Sequence, residues 1–503
     1  MAALRFVTLL SLGASLLAAQ DLRDYGRKVT EFSLANGLHF IVMERHQVPV
    51  VSFHTYVNAG SAQDPAGKTG LASLVARMAF EGTETIGTRN WTAEKKALEE
   101  LDAAFEREED ERSKGVRADA GQLAILHEGV SSAVSAAYEQ QNPNEYQRAI
   151  QENGGEGIDS HATPDSIETS YSLPSNRIEL WFLLESQRLA RPVFRNFFQD
   201  RQALQTDAMS FLDAKSPGRV RQSLAAAAFT SSAYRNPVLG WPSDSAALAP
   251  ADVRRFFETY CGPGNMVIAI VGDVDPADAR RLADRYFGPI PAKPRPPFAH
   301  TQELPQMGPK TVALWGDGEP QLLIGYKRPP EIQRDDAVFD AIAAILEGGL
   351  NQELVEEKRI AQRVSVAPDF PSARNVNLFV LAATPARGHT VEENRQAIDE
   401  MVTRLQSMPV DAAILAHARN ILRGRFLRLL SSNREVAALL TAAYAGYGDW
   451  QRLLAIGRDY DRLTPEEIQR VALEYLIPAA RTVAYLTGSP QPGTAAASVG
   501  GFE

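Results

Sequence analysis

Few side chains in this 503-residue sequence combine a chemically useful type with a useful spacing. Ser73 and Arg77 lie four apart in TGLASLVARMAFEGT, Thr69 to Thr83, so a helix there puts them on one face. By themselves a hydroxyl and a guanidinium so placed are the polar side of an amphipathic helix. Asp200 and Asp207 lie seven apart in FQDRQALQTDAMSF and share a face of a second helix. His161 is solitary, and a histidine without matching ligands reads as structural. The one cysteine, Cys261 in FFETYCGPGN, reads as a small packed side chain, and its being alone rules out an internal disulfide framework.

The elements that must position these groups are legible around them. Phe32 to Met43 is a hairpin turning at Ala35-Asn36-Gly37, and Val50 to Val57 is a third strand. After the Gly/Asp/Pro turn Asn58 to Gly67, Thr69 is the expected N-cap of the first helix. Leu71, Leu74, Val75, Met78 and Ala79 recur at helical spacing, and Gly82 stops it.

The flanks of that helix carry a resemblance. GKTGLAxxxxxMAFEGT resembles the active-site helix of the insulinase/pitrilysin family of zinc peptidases, the inverzincins, in their bacterial, processing-peptidase-like two-half type. Members carry His-x-x-Glu-His between GLA and M-x-F-x-GT. Laid on this chain, the pattern puts Ser73 at the first His, Ala76 at the Glu and Arg77 at the second His. Two histidines four residues apart hold zinc and leave room for a water that the carboxylate activates. Serine is a poor ligand, alanine offers no base, and Arg77 brings positive charge where a dication would sit.

Further motifs agree in order. The resemblance puts the third family ligand, a Glu, at Asp207, one methylene shorter, and an upstream acid at Asp200. It also suggests an ion pair between Arg77 and Asp207 in place of a metal. NGGEGIDSHATPDSIETSYSLP resembles the strand whose edge pairs with substrate backbone, with Asp159 at the usual Asn, Ala162 at the usual Thr and Thr163 at the usual Ser. Edge pairing uses main-chain groups, so a peptide-binding edge over Asp159, Ser160, His161, Ala162 and Thr163 is expected to survive. The family's substrate-clamping Arg and Tyr fall on Val355 and Gln362 in LVEEKRIAQRV.

The expected fold is α+β: two homologous halves, each a mostly antiparallel sheet with helices on one face, plus an inserted helical hairpin. Residues 1–19 read as a secretory signal, with Arg5 before an apolar run too short for a membrane span; cleavage is expected after Ala19, with an uncleaved anchor as the alternative. Residues 28–288 form the N-terminal peptidase-like domain. Within it, 91–141 is a helical hairpin with its tip near Ser113 to Gly115 and an acidic run read as a solvated turn. Residues 289–305 are a Pro-rich linker, 306–488 the C-terminal domain, and 489–503 a disordered tail.

A net charge of -10 without a basic run argues against nucleic-acid binding. The expected function is that of a non-catalytic family homologue, with no catalytic or metal-binding residues and no cofactor. It would pair as a heterodimer with an active zinc-peptidase chain, bind the peptide substrates of that assembly, have no membrane span in the mature chain, and be periplasmic or secreted. The alternatives are a residual zinc metalloendopeptidase using His54, His161 and Asp207, or a stand-alone peptide-binding scaffold.

Overall fold

The computed structural model describes residues 25–296, 301–330 and 335–488. The expected signal at 1–19 and tail at 489–503 lie outside the described residues. β1 (Val29–Ser33) and β2 (His39–Glu44) form the hairpin, with Gly37 at φ 91° in its turn. β3 (Val50–Val57) leads to α1 (Leu71–Arg77), and α2 (Trp91–Ser113) and α3 (Ala120–Glu139) make the inserted helical hairpin. There follow α4 (Glu145–Glu152), β4 (Glu156–Ala162), β5 (Ile167–Pro174), α5 (Ile178–Ala190), α6 (Phe197–Phe211) and α7 (Pro217–Ala228). The first half closes with α8 (Pro242–Ala246), α9 (Pro250–Tyr260), β6 (Met266–Gly272) and α10 (Pro276–Tyr286).

The second half begins with β7 (Lys310–Trp315), β8 (Gln321–Arg328) and α11 (Asp336–Leu350), which runs into a wider π-helical turn, Asn351–Glu357. Next come β9 (Ala361–Ala367), β10 (Asn377–Pro385), α12 (Val391–Ser407), α13 (Ala412–Ser431) and α14 (Asn433–Tyr447). It ends with α15 (Arg452–Arg462), α16 (Pro465–Tyr475) and β11 (Arg481–Thr487).

Two sheets result, ordered β1-β2-β6-β3-β5-β4 and β7-β11-β8-β10-β9. Leaving out β1, both read first, last, second, fourth, third strand. In both, only the first–last pair is parallel, β2 with β6 and β7 with β11. The same unusual order twice in one chain is what an internal duplication produces.

Each sheet has two dry faces. Phe40, Val42, Ile268 and Ile270 pack under α1, α5 and α10 of their own half. The alternating residues Ile41, Met43, Val267 and Val271 pack against Val436, Ala437 and Leu440 of α14, from the other half. Conversely α7 of the first half puts Val220 and Leu224 against Leu323, Leu378 and Val380 of the second sheet. The expectation of helices on one face therefore holds only within a half; the second face is covered by exchange. Each large apolar side chain so buried contributes about 1.5–3 kcal/mol. Burial on both faces is why β6 reads as an uninterrupted apolar run, MVIAIVG.

Two local expectations need correcting. Thr69 is not the N-cap of α1: that position is Gly70, in the left-handed region at φ 92°, with no side-chain cap. The carboxylate of Asp64 does the work instead, accepting from Gly70 N at 2.8 Å and Ala72 N at 2.9 Å. Nor is the hairpin's acidic run simply solvated. Glu108 and Glu111 are buried; Glu108 is 3.2 Å from His127 Nδ1 and also pairs with Arg112, while Glu111 accepts from Asp119 N at 2.9 Å.

Candidate functional site

α1 is short, apolar and almost wholly buried. Leu71, Leu74 and Val75 enter the core, and so does Ala76, which leaves no polar group at that position. Its first turn is pressed against the loop before α8. A Cβ on Gly70 would stand 2.6 Å from Leu239 O, and one on Gly240 2.2 Å from Thr69 O, so both positions need glycine. In that contact Ser73 Oγ donates to Val238 O at 2.7 Å. The hydroxyl at this position is turned into the packing of the helix.

Arg77, at the end of α1, is the only charged residue of the helix and pairs with Asp207 of α6. Nearby, Asp200 is one turn into the same α6, and one of its oxygens is buried without a hydrogen-bond partner. Burial and the neighbouring charge of Glu81 push its carboxyl up to about 7, against the opposing pull of Arg77. Burial also raises the Glu81 carboxyl, which accepts from Asn196 Nδ2 at 2.6 Å. The site is thus a guanidinium among three carboxylates, Glu81, Asp200 and Asp207. Glu81 was not singled out from the sequence; its place in MAFEGT, just past the helix, was the available signal.

These residues do not fit a zinc ion. Ser73 is spent on a backbone carbonyl, Ala76 has no donor, and a permanently charged guanidinium engages the one carboxylate that would be a ligand. His54 and His161 do not join Asp207. Both face Glu168 of β5, His54 Nε2 at 3.2 Å and His161 Nε2 at 4.0 Å from Oε2. Burial would raise the Glu168 carboxyl, but the hydrogen bond and charge of His54 hold it below its ordinary range. His54 Nδ1 is 2.9 Å from Thr441 Oγ1 of α14, so the cluster ties the halves together. Among the described residues, no three His, Cys, Asp or Glu side chains are placed to hold a metal ion.

β4 is the terminal strand of its sheet, which leaves one side of it unpaired. Its ladder to β5 covers Asp159, Ser160, His161 and Ala162, after an irregularity between Glu156 and Asp159. Asp159 is 2.8 Å from His161 Nδ1 and 3.7 Å from Arg434 of α14. Thr163 closes the strand: its carbonyl accepts from Ser61 N at 3.0 Å and its hydroxyl from Asp165 N and Ser166 N. Val355 lies in the π-helical turn and packs on the second core, whereas Gln362 is exposed on β9 and reaches Pro385 O at 3.4 Å. Both positions belong to the second half, Val355 to its core and Gln362 to β9, rather than to α1 or β4. Cys261 is buried, which pushes its thiol up to about 12 and makes it inert at neutral pH.

Fold and site together define a duplicated two-half architecture with Ser73, Ala76 and Arg77 on its first helix. Comparison places it. The sequence model described as insulinase (peptidase family M16) matches residues 40–109, and that described as peptidase M16 inactive domain matches 247–422. Over those two stretches the chain resembles the insulinase (M16) peptidase family. The zinc protease PqqE of Helicobacter pylori is 23% identical over 489 residues, 95% of this chain and 96% of that protein. A solved protease from Helicobacter pylori superposes with a TM-score of 0.76 at 18% identity, covering 92% of this chain and 99% of its own. The periplasmic protease PqqL from Escherichia coli gives a TM-score of 0.67 at 13% identity over 92% of this chain and 48% of that one.

Proposed function

We propose that this chain is a non-catalytic insulinase-family homologue that pairs with an active zinc-peptidase chain and supplies one wall of a shared peptide chamber. The observation that carries the reading is the Arg77–Asp207 ion pair beside Ser73 and Ala76, where metal and base chemistry would be needed. A peptidase of this class needs a dication and a carboxylate base at one point, and here a side-chain cation stands there instead. In this reading residues 28–288 and 306–488 are the two peptidase-like domains, joined by the 289–305 linker. The open side of β4, at Asp159 to Ala162, receives substrate backbone, the main chain of Thr163 being already engaged with Ser61 and Ser166, while Val355 and Gln362 no longer clamp a carbonyl. Residues 1–19 direct export, in keeping with the periplasmic description of PqqL.

Metal content by elemental analysis tests this, on the purified chain alone and after co-expression with a full-motif relative from the same source. The expected result is no zinc and no hydrolysis alone, and a stoichiometric complex on co-expression. Near-stoichiometric zinc in the isolated chain, lost on Asp207→Asn, overturns it. A second reading, a stand-alone peptide-binding scaffold, is favoured by the unpaired side of β4. It is distinguished by peptide binding without any complex on co-expression.

A further inference from the structure

The inserted hairpin encloses space that the site at α1 does not use. Between α2, α3, the turn after α5 and α9 lies a cavity of about 740 Å³ lined by Trp91, Leu98, Tyr138, Phe194, Phe197 and Phe257. That is within the range of sites that hold a ligand, and its lining is of the apolar and aromatic kind that anchors bulky side chains. None of Ser73, Ala76, Arg77, Asp200 or Asp207 lines it.

A second, shallower pocket of about 220 Å³ continues from it, sharing Asp102, Pro250 and Arg254. Its character is different. Asp102, Glu106, Glu109 and Asp110 face it from α2, against Lys68 and Arg254. Both cations are already engaged, Lys68 with Asp252 at 2.9 Å and Arg254 with Asp102 at 2.8 Å. Glu106 and Asp110 have no ion-pair partner among the described residues and are exposed. Charges around the deep cavity are mixed, so the acidic excess lies along the second pocket. It reflects the whole hairpin, which carries 12 acidic and 6 basic residues over 91–141.

We propose that this groove docks a polypeptide segment in which bulky apolar side chains are followed by lysines or arginines. The apolar part fills the deep cavity and the basic part runs along α2 past Glu106 and Asp110. Charge complementarity selects this occupant over a second copy of the chain, which carries -10 overall and has no basic run to offer. The groove is a separate docking surface, so it stands or falls independently of the state of the site at α1.

Fluorescence anisotropy on the full chain tests it, with a labelled synthetic peptide having a Phe/Leu-rich half and a Lys-rich half. The control replaces each lysine with glutamate. The expected result is binding of the lysine peptide at least about tenfold tighter than the control, weakening as salt rises. Glu106→Lys with Asp110→Lys, both exposed, should weaken it about tenfold, and Leu98→Glu should do so with the acidic pocket intact. Equal binding of the two peptides, or binding indifferent to the double substitution, overturns the proposal. So does a dimer in light scattering that the same double substitution dissolves, since the groove would then belong to a second copy. The double variant's zinc content should equal that of the unaltered chain, which separates this outcome from any at α1.

Discussion

Arg77 on α1 and Asp207 on α6 form an ion pair whose side chains are 33% and 52% exposed, at the point where the resemblance calls for a metal. Water reaches both, so the pair contributes little stability, about 0–1 kcal/mol. Arg77→Ala should change the denaturation midpoint only slightly. What Arg77 controls is the local charge. The variant Ser73→His, Ala76→Glu, Arg77→His, Asp207→Glu should take up about one zinc per chain by elemental analysis. If it folds and stays metal-free, the frame of α1 and α6 is not that of a metal site.

Asp200 is one of several buried carboxyls, with Asp64 and Asp340, that are raised and so weigh on stability toward alkaline pH. Burial and Glu81 hold the Asp200 carboxyl at about 7, above its unfolded value, so folding is favoured while Asp200 is protonated. Its contribution is complete below about pH 4 and is lost as pH rises through 7. Asp200→Asn should lessen, without abolishing, the decline in urea-denaturation midpoints between pH 5 and 8, since Asp64 and Asp340 remain raised; an unchanged slope would refute the assignment.

Glu303 behaves in the opposite sense. Burial would raise it, but Lys327 at 2.5 Å and the amides of Thr230, Ser231 and Ser232 pull it down to about 2. Its contribution is present above about pH 4.5 and lost as pH falls toward 2. The residue fastens the linker to both halves, so Glu303→Gln should make proteolysis between 296 and 310 faster at neutral pH.

A buried pair at the root of the hairpin matters more for folding. Arg195 Nε is 2.6 Å from Glu94 Oε1, both side chains almost fully buried, and the guanidinium also donates to the carbonyls of Glu81, Thr83 and Ile86. Arg195→Met strands the Glu94 carboxylate and should cost about 3–5 kcal/mol in chemical denaturation. Adding Glu94→Leu should recover part of that loss, because no uncompensated charge then remains.

Asp64 holds the start of α1 from outside the helix. Asp64→Ala should cost about 1–2 kcal/mol through the lost cap. Thr69→Ala should also destabilise, for another reason: Thr69 Oγ1 donates to Asp244 at 2.8 Å and accepts from Trp241 N at 2.9 Å. Hydrogen exchange separates the two, with Asp64→Ala deprotecting Gly70 and Ala72 and Thr69→Ala deprotecting Trp241.

Much was decided by local chemistry. The turn at Asn36-Gly37, the capping box of Thr390 with Glu393 and the helices over 250–260 and 465–475 stand where periodicity and caps put them. The identity of Ser73, Ala76 and Arg77 is likewise a fact of sequence, and spacing alone put Ser73 and Arg77 on one face. The strand β9, the helix α4 and the helix α7 were not legible. AQRVSVA alternates weakly, EYQRAIQE is short, and PGRVRQSLAAAA carries little apolar pattern beyond alanine.

Tertiary structure alone decided the rest, because it depends on which surfaces meet. A period of two shows that a strand has two faces but not what covers each one. Only the fold shows α7 and α14 exchanged between the halves. Spacing can put Asp200 and Asp207 on one side of a helix, yet only packing separates them. Asp207 is left in water beside Arg77, while Asp200 is pressed toward Glu81 with an oxygen unpartnered. Burial and long-range neighbours set that difference, and neither is a property of any local stretch of chain.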